Sequence, residues 1–295
     1  MSALAGRVAI ITGAGRGLGR AYALFFASEG AQVVVNDRGV AMDGSGDDRT
    51  LAQQVVDEIH AQGGEAVANA DDVTDWEGDQ RLIRAALDAF GGFHVLVNNA
   101  GILRDRALVN MTEAEWDDVI AVHLKGHFVP TRHAAAYWRA QSKAGVAVNA
   151  SVVNTSSTSG LVGNPFQANY GSAKAGVAAF SLIIAQELVR YGVRVNCVVP
   201  AARTRLTSAT AGLGDIVKAP DDPALFDVWD PAHVAPLVGW LATEGCPATG
   251  KMFFAQGGTI RLMNGWSMGE GLERPGRWTI ADLDVELGKL VAQET

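Results

Sequence analysis

The sequence predicts an α/β fold, a parallel sheet covered by helices on both faces, and three observations carry that prediction. Short β-branched runs alternate with stretches whose apolar residues recur at helical spacing. The runs are apolar almost throughout, as expected of strands buried on both faces. The first run ends in a glycine-rich turn that opens a helix, the arrangement in which backbone N–H groups meet a phosphate.

The elements follow in order. Residues 7–12 (RVAIIT) form the first strand, ending in Gly13-Ala14-Gly15-Arg16-Gly17-Leu18-Gly19, with a helix over 20–28. Gly13, Arg16, Gly17, Leu18 and Gly19 are therefore candidate contacts to a dinucleotide. The second strand, 31–36, closes with Asp37, whose carboxylate can accept from both ribose hydroxyls and would repel the 2′-phosphate of NADP. This favours NAD; Arg16 and Arg38 are the counter-signals, and capping a turn is the plain alternative for Asp37. A helix over 49–62, a third strand over 66–69 leading to Asp72 and Val73, a helix over 75–90 and a fourth strand over 94–97 leading to Asn98-Asn99-Ala100-Gly101 follow. All these loops fall at the carboxyl ends of strands, where such folds bind ligands.

Residues 113–143 read as one long helix or two consecutive ones, opened by the capping box Thr112-x-x-Glu115. His123 and His127 stand at i, i+4, but no Glu follows the first His and no third ligand is evident, so no metal site is expected. The fifth strand, 151–155, leads to Ser157. On the next helix Tyr170 and Lys174 lie four apart and share a face, so the ammonium favours the phenolate and equips Tyr170 for proton exchange with an alcohol or carbonyl. Ser157 can donate to the same oxygen. That helix runs to about 191, rich in small residues. A sixth strand, 194–199, ends at Pro200. Residues 204–231 mix turns with Leu206, Leu213, Ile216, Val217, Leu225, Phe226 and Trp229, which suits a lid with an apolar inner face or a plain surface loop. A helix over 231–243, a seventh strand over 251–255 and a tail with a helix over 280–292 complete the chain.

Composition bounds the function. With 295 residues and 48% hydrophobic content, one large domain is expected over 1–265, including a lid over about 205–231, with a C-terminal extension at 266–295. A net charge of −8 argues against a nucleic-acid partner. The two cysteines, Cys197 and Cys246, read as buried reduced thiols rather than a disulfide, which suits a cytoplasmic location. The first strand begins at once, leaving no room for a signal peptide, and no uninterrupted apolar run of membrane-spanning length is seen, so no membrane partner is expected.

Thr12-Gly13-x-x-x-Gly17-x-Gly19, Asn98-Asn99-Ala100-Gly101, Ser157 and Tyr170-x-x-x-Lys174 together resemble the short-chain dehydrogenase/reductase family, over about residues 4–265. The resemblance implies a single doubly wound Rossmann domain with a seven-stranded parallel sheet, and a homotetramer or dimer. It implies Tyr170 as acid/base, Lys174 on the nicotinamide ribose lowering the tyrosine pKa, and Ser157 polarising the substrate oxygen. Asp72 and Val73 would meet adenine and Asn98 the adenosine side, with Asn99, Ala100, Gly101 and Pro200 among the cofactor contacts. Thr204 would reach the carboxamide or pyrophosphate. Two departures stand out: the family's usual catalytic Asn is His123 here, kept among the catalytic residues because the Asn acts largely through its backbone carbonyl, and the usual Pro-Gly is Pro200-Ala201.

Within the family, Asn36-Asp37, Asn98 through Arg106, Val122-His123-Leu124-x-Gly126-x-Phe128 and Gly163-Asn164-x-x-Gln167-Ala168-Asn169-Tyr170 are similar to the (3R)-hydroxyacyl-CoA dehydrogenase units of type 2 peroxisomal multifunctional enzymes, also called 17β-hydroxysteroid dehydrogenases of type 4. This implies an NAD-dependent dehydrogenase acting on a small-molecule secondary alcohol, an acyl-CoA or steroid-like substrate, with a 3-hydroxyacyl-CoA preferred. A 3-oxoacyl reductase and a hydroxysteroid or other secondary-alcohol dehydrogenase are the alternatives among enzymes. A catalytically silent NAD(H)-binding regulator is the alternative of another class.

Overall fold

A computed structural model describes residues 2–41, 43–46, 48–210, 212, 214–222 and 224–293. The chain divides into two compact units, one through Met263 and one from Asn264. The first holds, in order, β1 (Val8–Thr12), α1 (Gly17–Ser28), β2 (Gln32–Asn36), α2 (Thr50–Ala61), β3 (Glu65–Asn69), α3 (Trp76–Phe90), β4 (Val95–Asn98), α4 (Glu113–Ile120) and α5 (Gly126–Lys143). It continues through β5 (Ala150–Thr155), α6 (Thr158–Leu161), α7 (Ala168–Leu188), β6 (Val193–Pro200), α8 (Arg205–Ala209), α9 (Ala235–Ala242), β7 (Lys251–Gln256) and β8 (Thr259–Met263). The second unit holds α10 (Ile280–Gln293).

The sheet order is β3-β2-β1-β4-β5-β6-β7-β8. The two-residue side-chain period of β1 explains why it reads as an unbroken apolar run: Ala9 and Ile11 pack with α1, α2 and α9, while Val8 and Ile10 pack with α3, α5 and α7. Strand order reverses between β1 and β4, which opens a crevice at their carboxyl ends.

Three expectations change. The sheet has eight strands rather than seven: Gly257-Gly258 turns the chain back, and β8 pairs antiparallel with β7 from Gln256↔Thr259 to Met252↔Met263. β8 is an edge strand, exposed along nearly its whole length, so no apolar run announced it. Helix α1 starts at Gly17, so the last two glycines of the turn lie in its first turn. Of the two readings of 113–143, two consecutive helices holds: α4 and α5 are joined by a π turn, Ala121–Lys125, with the Thr112–Glu115 capping box formed as read. Finally, Ala168–Tyr191 reaches a mean hydropathy of 1.3 and is long and apolar enough to cross a membrane by length and composition alone. An uninterrupted apolar run is not what makes it so; small residues raise the average around Lys174 and the serines, and the face carrying Ile184, Ala185 and Leu188 packs into the core. Cys197 and Cys246 are both buried and unpaired.

Candidate active site

The carboxyl ends of β1 through β6 open onto one cavity of about 410 Å³. One end carries Asp37, Asp72 and Val73; the middle carries Gly13, Arg16, Gly17 and Leu18 with Asn99, Ala100 and Gly101; Ser157, Tyr170, Lys174 and His123 share the same lining, as do Pro200 and Thr204. Two sequence candidates stand apart. Gly19 packs behind the loop, where an added Cβ would come within 2.1 Å of the Gly13 carbonyl oxygen. Asn98 is fully buried, and its Nδ2 donates to Thr131 Oγ1 at 2.9 Å and Asn154 Oδ1 at 2.8 Å, so it braces the sheet instead of facing the cavity. Strand alternation turns the neighbouring Asn99 the other way, and its Nδ2 ties to the carbonyls of Thr12 and Gly13.

The glycine loop is built for close approach. Gly13 and Gly17 hold positive φ of 64° and 54°, and a Cβ on Gly13 would lie 2.7 Å from the Ala100 Cα. Arg16, at the N-cap of α1, makes no side-chain cap, and the first turn carries no acid, so its leading N–H groups point into the cavity rim uncompensated. Asp37 ties this loop to β2: Oδ2 accepts from the Gly15 N–H at 2.8 Å and Oδ1 from the Gly39 N–H at 2.7 Å. Arg38 pairs with Asp72 at 2.6 Å. An elongated site with carboxylates at one end, an open helix N-terminus in the middle and a phenol and ammonium in the same lining fits a nicotinamide dinucleotide.

At the other functional centre, Lys174 is 2% exposed; its Nζ donates to the Thr155 carbonyl at 2.6 Å and stands 5.7 Å from the centre of the Tyr170 ring. Ser156 Oγ donates to the Lys174 carbonyl at 2.7 Å, pinning α7 to the end of β5. Burial draws the Lys174 ammonium down to about 7. Burial likewise pushes the Tyr170 phenol up to about 12, opposed by a hydrogen bond with Ser157 and reinforced by the charge of Asp105. The Tyr-x-x-x-Lys spacing predicts a tyrosine pKa lowered by Lys174; in this structure the phenol is raised, with burial the largest cause and the Ser157 hydrogen bond only a partial offset. Ser157 itself caps α6, its Oγ accepting from the Ser159 N–H at 3.1 Å.

His123 rides on the π turn, 1% exposed, with Nε2 2.8 Å from the Ile102 carbonyl and its ring perpendicular to Tyr170 at 5.0 Å. Burial, followed by the charge of Lys174, holds its pKa well below the usual histidine value, so the imidazole is neutral. Among the described residues no three His, Cys, Asp or Glu side chains gather as metal ligands.

The segment after β6 contributes on one side only. Thr204 caps α8 through a reciprocal bond with Thr207, and Leu206, Val217 and Trp229 line the cavity. Ile216, Leu225 and Phe226 are more than half exposed, and Leu213 lies outside the described residues. Arg203 ion-pairs with Asp227 and donates its N–H to the Trp229 carbonyl at 2.6 Å, holding Trp229 against the cavity. The reading from sequence missed Arg205, Gln167 and the Thr155 carbonyl that anchors Lys174. The last had a signal, since a carbonyl at the end of a central strand has no ladder partner beyond it.

The profile described as short chain dehydrogenase matches residues 7–213. The chain is 46% identical over 268 residues to the hydroxyacyl-CoA dehydrogenase ChsB1 of Mycobacterium tuberculosis, covering 88% of this chain and 80% of that one. It is 42% identical over 255 residues to the peroxisomal multifunctional enzyme type 2 of Mus musculus, covering 86% of this chain and 32% of that longer protein. A crystal structure of a short chain dehydrogenase from Mycobacterium avium superposes with a TM-score of 0.86 at 49% identity, covering 98% of this chain and 96% of that one.

Proposed function

The chain belongs to the short chain dehydrogenase family, and from that footing we propose that it is an NAD-dependent dehydrogenase oxidising a 3-hydroxyacyl-CoA thioester to the 3-oxo compound. The observation that carries the reading is the convergence of Ser157, Tyr170 and Lys174 on the cavity that also holds the open glycine loop. The names of the relatives support the acyl-CoA class. Gly13, Arg16, Gly17, Leu18, Asp37, Asp72, Val73, Asn99, Ala100, Gly101, Pro200 and Thr204 would hold the dinucleotide, which when bound supplies the hydride acceptor. Asp37 lines the cavity with a carboxylate fixed by the Gly15 and Gly39 N–H groups, each oxygen keeping a further lone pair for a ribose hydroxyl, and Arg38 is paired with Asp72, which favours NAD over NADP.

The chain's own residues do the proton chemistry. Ser157 donates a hydrogen bond to the substrate oxygen and orients the carbinol, and Tyr170 takes the hydroxyl proton as the C–H bond gives up its hydride. Lys174, steered by the Thr155 carbonyl, brings a positive charge to the phenol's side of the cavity, and its field works against the burial that otherwise keeps the proton on Tyr170. In the reductive direction the same phenol returns the proton. Leu206, Val217 and Trp229 offer apolar wall to an acyl chain.

The test is to offer NAD and NADP separately with (3R)- and (3S)-hydroxyacyl-CoA thioesters and 17β-hydroxysteroids, following reduced-nicotinamide absorbance. Fast NAD reduction with one 3-hydroxyacyl-CoA enantiomer is expected, and preferential turnover of a steroid or of NADP overturns the substrate or cofactor assignment. Tyr170→Phe should keep NAD binding and lose about 10³-fold or more in turnover.

A further inference from the structure

Three residues before Tyr170, the Gln167 side chain is 4% exposed and bonded at both ends of its amide. Its Nε2 donates to Asp105 Oδ2 at 2.9 Å, and its Oε1 accepts from Ser159 Oγ at 2.8 Å and Asn164 Nδ2 at 3.0 Å. These partners come from three segments: the loop after β4, the first turn of α6 beside Ser157, and the turn that leads into α7. The backbone repeats the link, for the Arg106 N–H donates to the Phe166 carbonyl at 2.8 Å. Asn169 adds another, its Nδ2 donating to the carbonyls of Arg104 at 3.0 Å and Glu115 at 2.9 Å while its Oδ1 accepts from the Tyr170 N–H at 2.8 Å. Immediately before Gln167, Phe166 holds a φ of 71°, a left-handed conformation that a bulky residue keeps only where its surroundings impose it.

We propose that Gln167 and Asp105 are a positioning pair: the amide clamps the segments bearing Ser157 and Tyr170 to the loop after β4, and the Asp105 carboxylate sets how readily Tyr170 releases its proton. The proposal rests on the reading of Tyr170 as the acid/base.

The charges around the pair leave Asp105 free to act on the phenol. Tyr170 faces Ser157 from α6, neutral His123 from the π turn and Lys174 from its own helix, and it feels Asp105 from the loop after β4. Asp105 is flanked by Arg104, which is committed to Asp118 at 2.8 Å, and by Arg106, committed to Glu115 at 2.9 Å. Across a neighbouring cleft of about 400 Å³ stands Asp43. The Gln167 hydrogen bond favours the ionised form of Asp105 against the burial that disfavours it. A negative charge close to the phenol and not cancelled by its neighbours discourages the phenolate. Gln167 itself lines the main cavity with Ser157 and Tyr170, so its 2.9 Å bond holds Asp105 directly behind that wall.

The experiment is the pH profile of kcat/KM for NAD-linked oxidation of a 3-hydroxyacyl-CoA thioester by the wild type, Asp105→Asn and Gln167→Glu. Asp105→Asn removes the negative charge and should move the rising limb about half a pH unit to lower pH. Gln167→Glu adds one and should move it the opposite way. A limb unmoved in Asp105→Asn, or variants displaced in the same sense, overturns the proposal, since loss of scaffold alone would lower activity without opposite shifts. If Gln167→Glu does not fold, Asp105→Asn decides by itself. An inactive Tyr170→Phe beside an unmoved limb overturns the pair alone, whereas an active Tyr170→Phe overturns the acid/base reading beneath it.

Discussion

Replacing Asp79 by Asn should stabilise the protein, and the gain should grow with pH. Asp79 lies in the first turn of α3, fully buried, and neither carboxylate oxygen has a hydrogen-bond partner among the described residues. Burial first, then the charges of Asp72, Asp71 and Asp75, push its pKa from 3.8 to about 9. A folded pKa raised above the unfolded one gives stability that is full below about pH 3.8 and is lost as pH climbs toward 9, because the unfolded chain sheds the proton and the folded chain keeps it. Each pH unit in that window costs about 1.4 kcal/mol. Neutral pH is about three units into it, an upper bound near 4 kcal/mol, and water penetration and relaxation reduce that to about 2 kcal/mol. Asn matches the protonated acid in shape and does not titrate, so the two proteins should be nearly equal at about pH 4 and diverge steadily above it. Urea unfolding of both at about pH 5 and pH 8 measures the divergence. A stability difference that does not change with pH would refute the reasoning, since a packing effect of the substitution has no reason to follow a proton.

Tyr22, on the buried face of α1, has no partner for its hydroxyl among the described residues, so Tyr22→Phe should raise stability by about 1 kcal/mol; thermal or urea unfolding checks it, and a loss would mean the hydroxyl is satisfied. Because burial keeps the proton on Tyr170, alcohol oxidation should accelerate as pH rises through the alkaline range while ketone reduction slows; initial rates in both directions give the profile, and a flat oxidative limb would count against Tyr170 as base. On α7, Leu182 and Ile183 are 41% and 56% exposed, an apolar face suited to the homo-oligomer that the family resemblance implies. Ile183→Glu should therefore lower the mass measured by light scattering, and a monomeric wild type would remove the basis for the expectation.

The parts of the fold that could be read from sequence are those where burial is two-sided. β1, β2 and β4 through β6 are apolar on both faces because helices cover both, the pattern that a parallel sheet between helix layers produces. β8 escaped because an edge strand, exposed nearly throughout, has no pattern to impose. The candidate site was legible where backbone geometry dictates residue type, as at Gly13 and Gly17. Orientation was harder: whether Asn98 or Asn99 faces the cavity depends on strand phase, which only the ladder settles. The electrostatics were not legible at all, for the pKa of Tyr170 follows from the atoms that the Ser157 turn, α7 and the loop after β4 pack around it, and spacing in one helix says nothing of that.

The π turn between α4 and α5 also governs how the chain tolerates change in length. A π turn carries one residue more than an α turn, and each residue of an α-helix advances the side chains by about 100° around its axis. Deleting one residue from Ala121–Lys125 would let the π turn close to an α turn with α4 and α5 still in phase, keeping Trp138 on its stack with Phe93 at 4.9 Å, whereas deleting one within α5 would rotate everything beyond it by about 100°. The turn acts as slack between two helices, holding one residue more than a regular turn needs. A screen of single-residue deletions along residues 113–143, read by stability, should find the greatest tolerance there and the least within α5, and insertions of a whole turn should be milder than insertions of one residue.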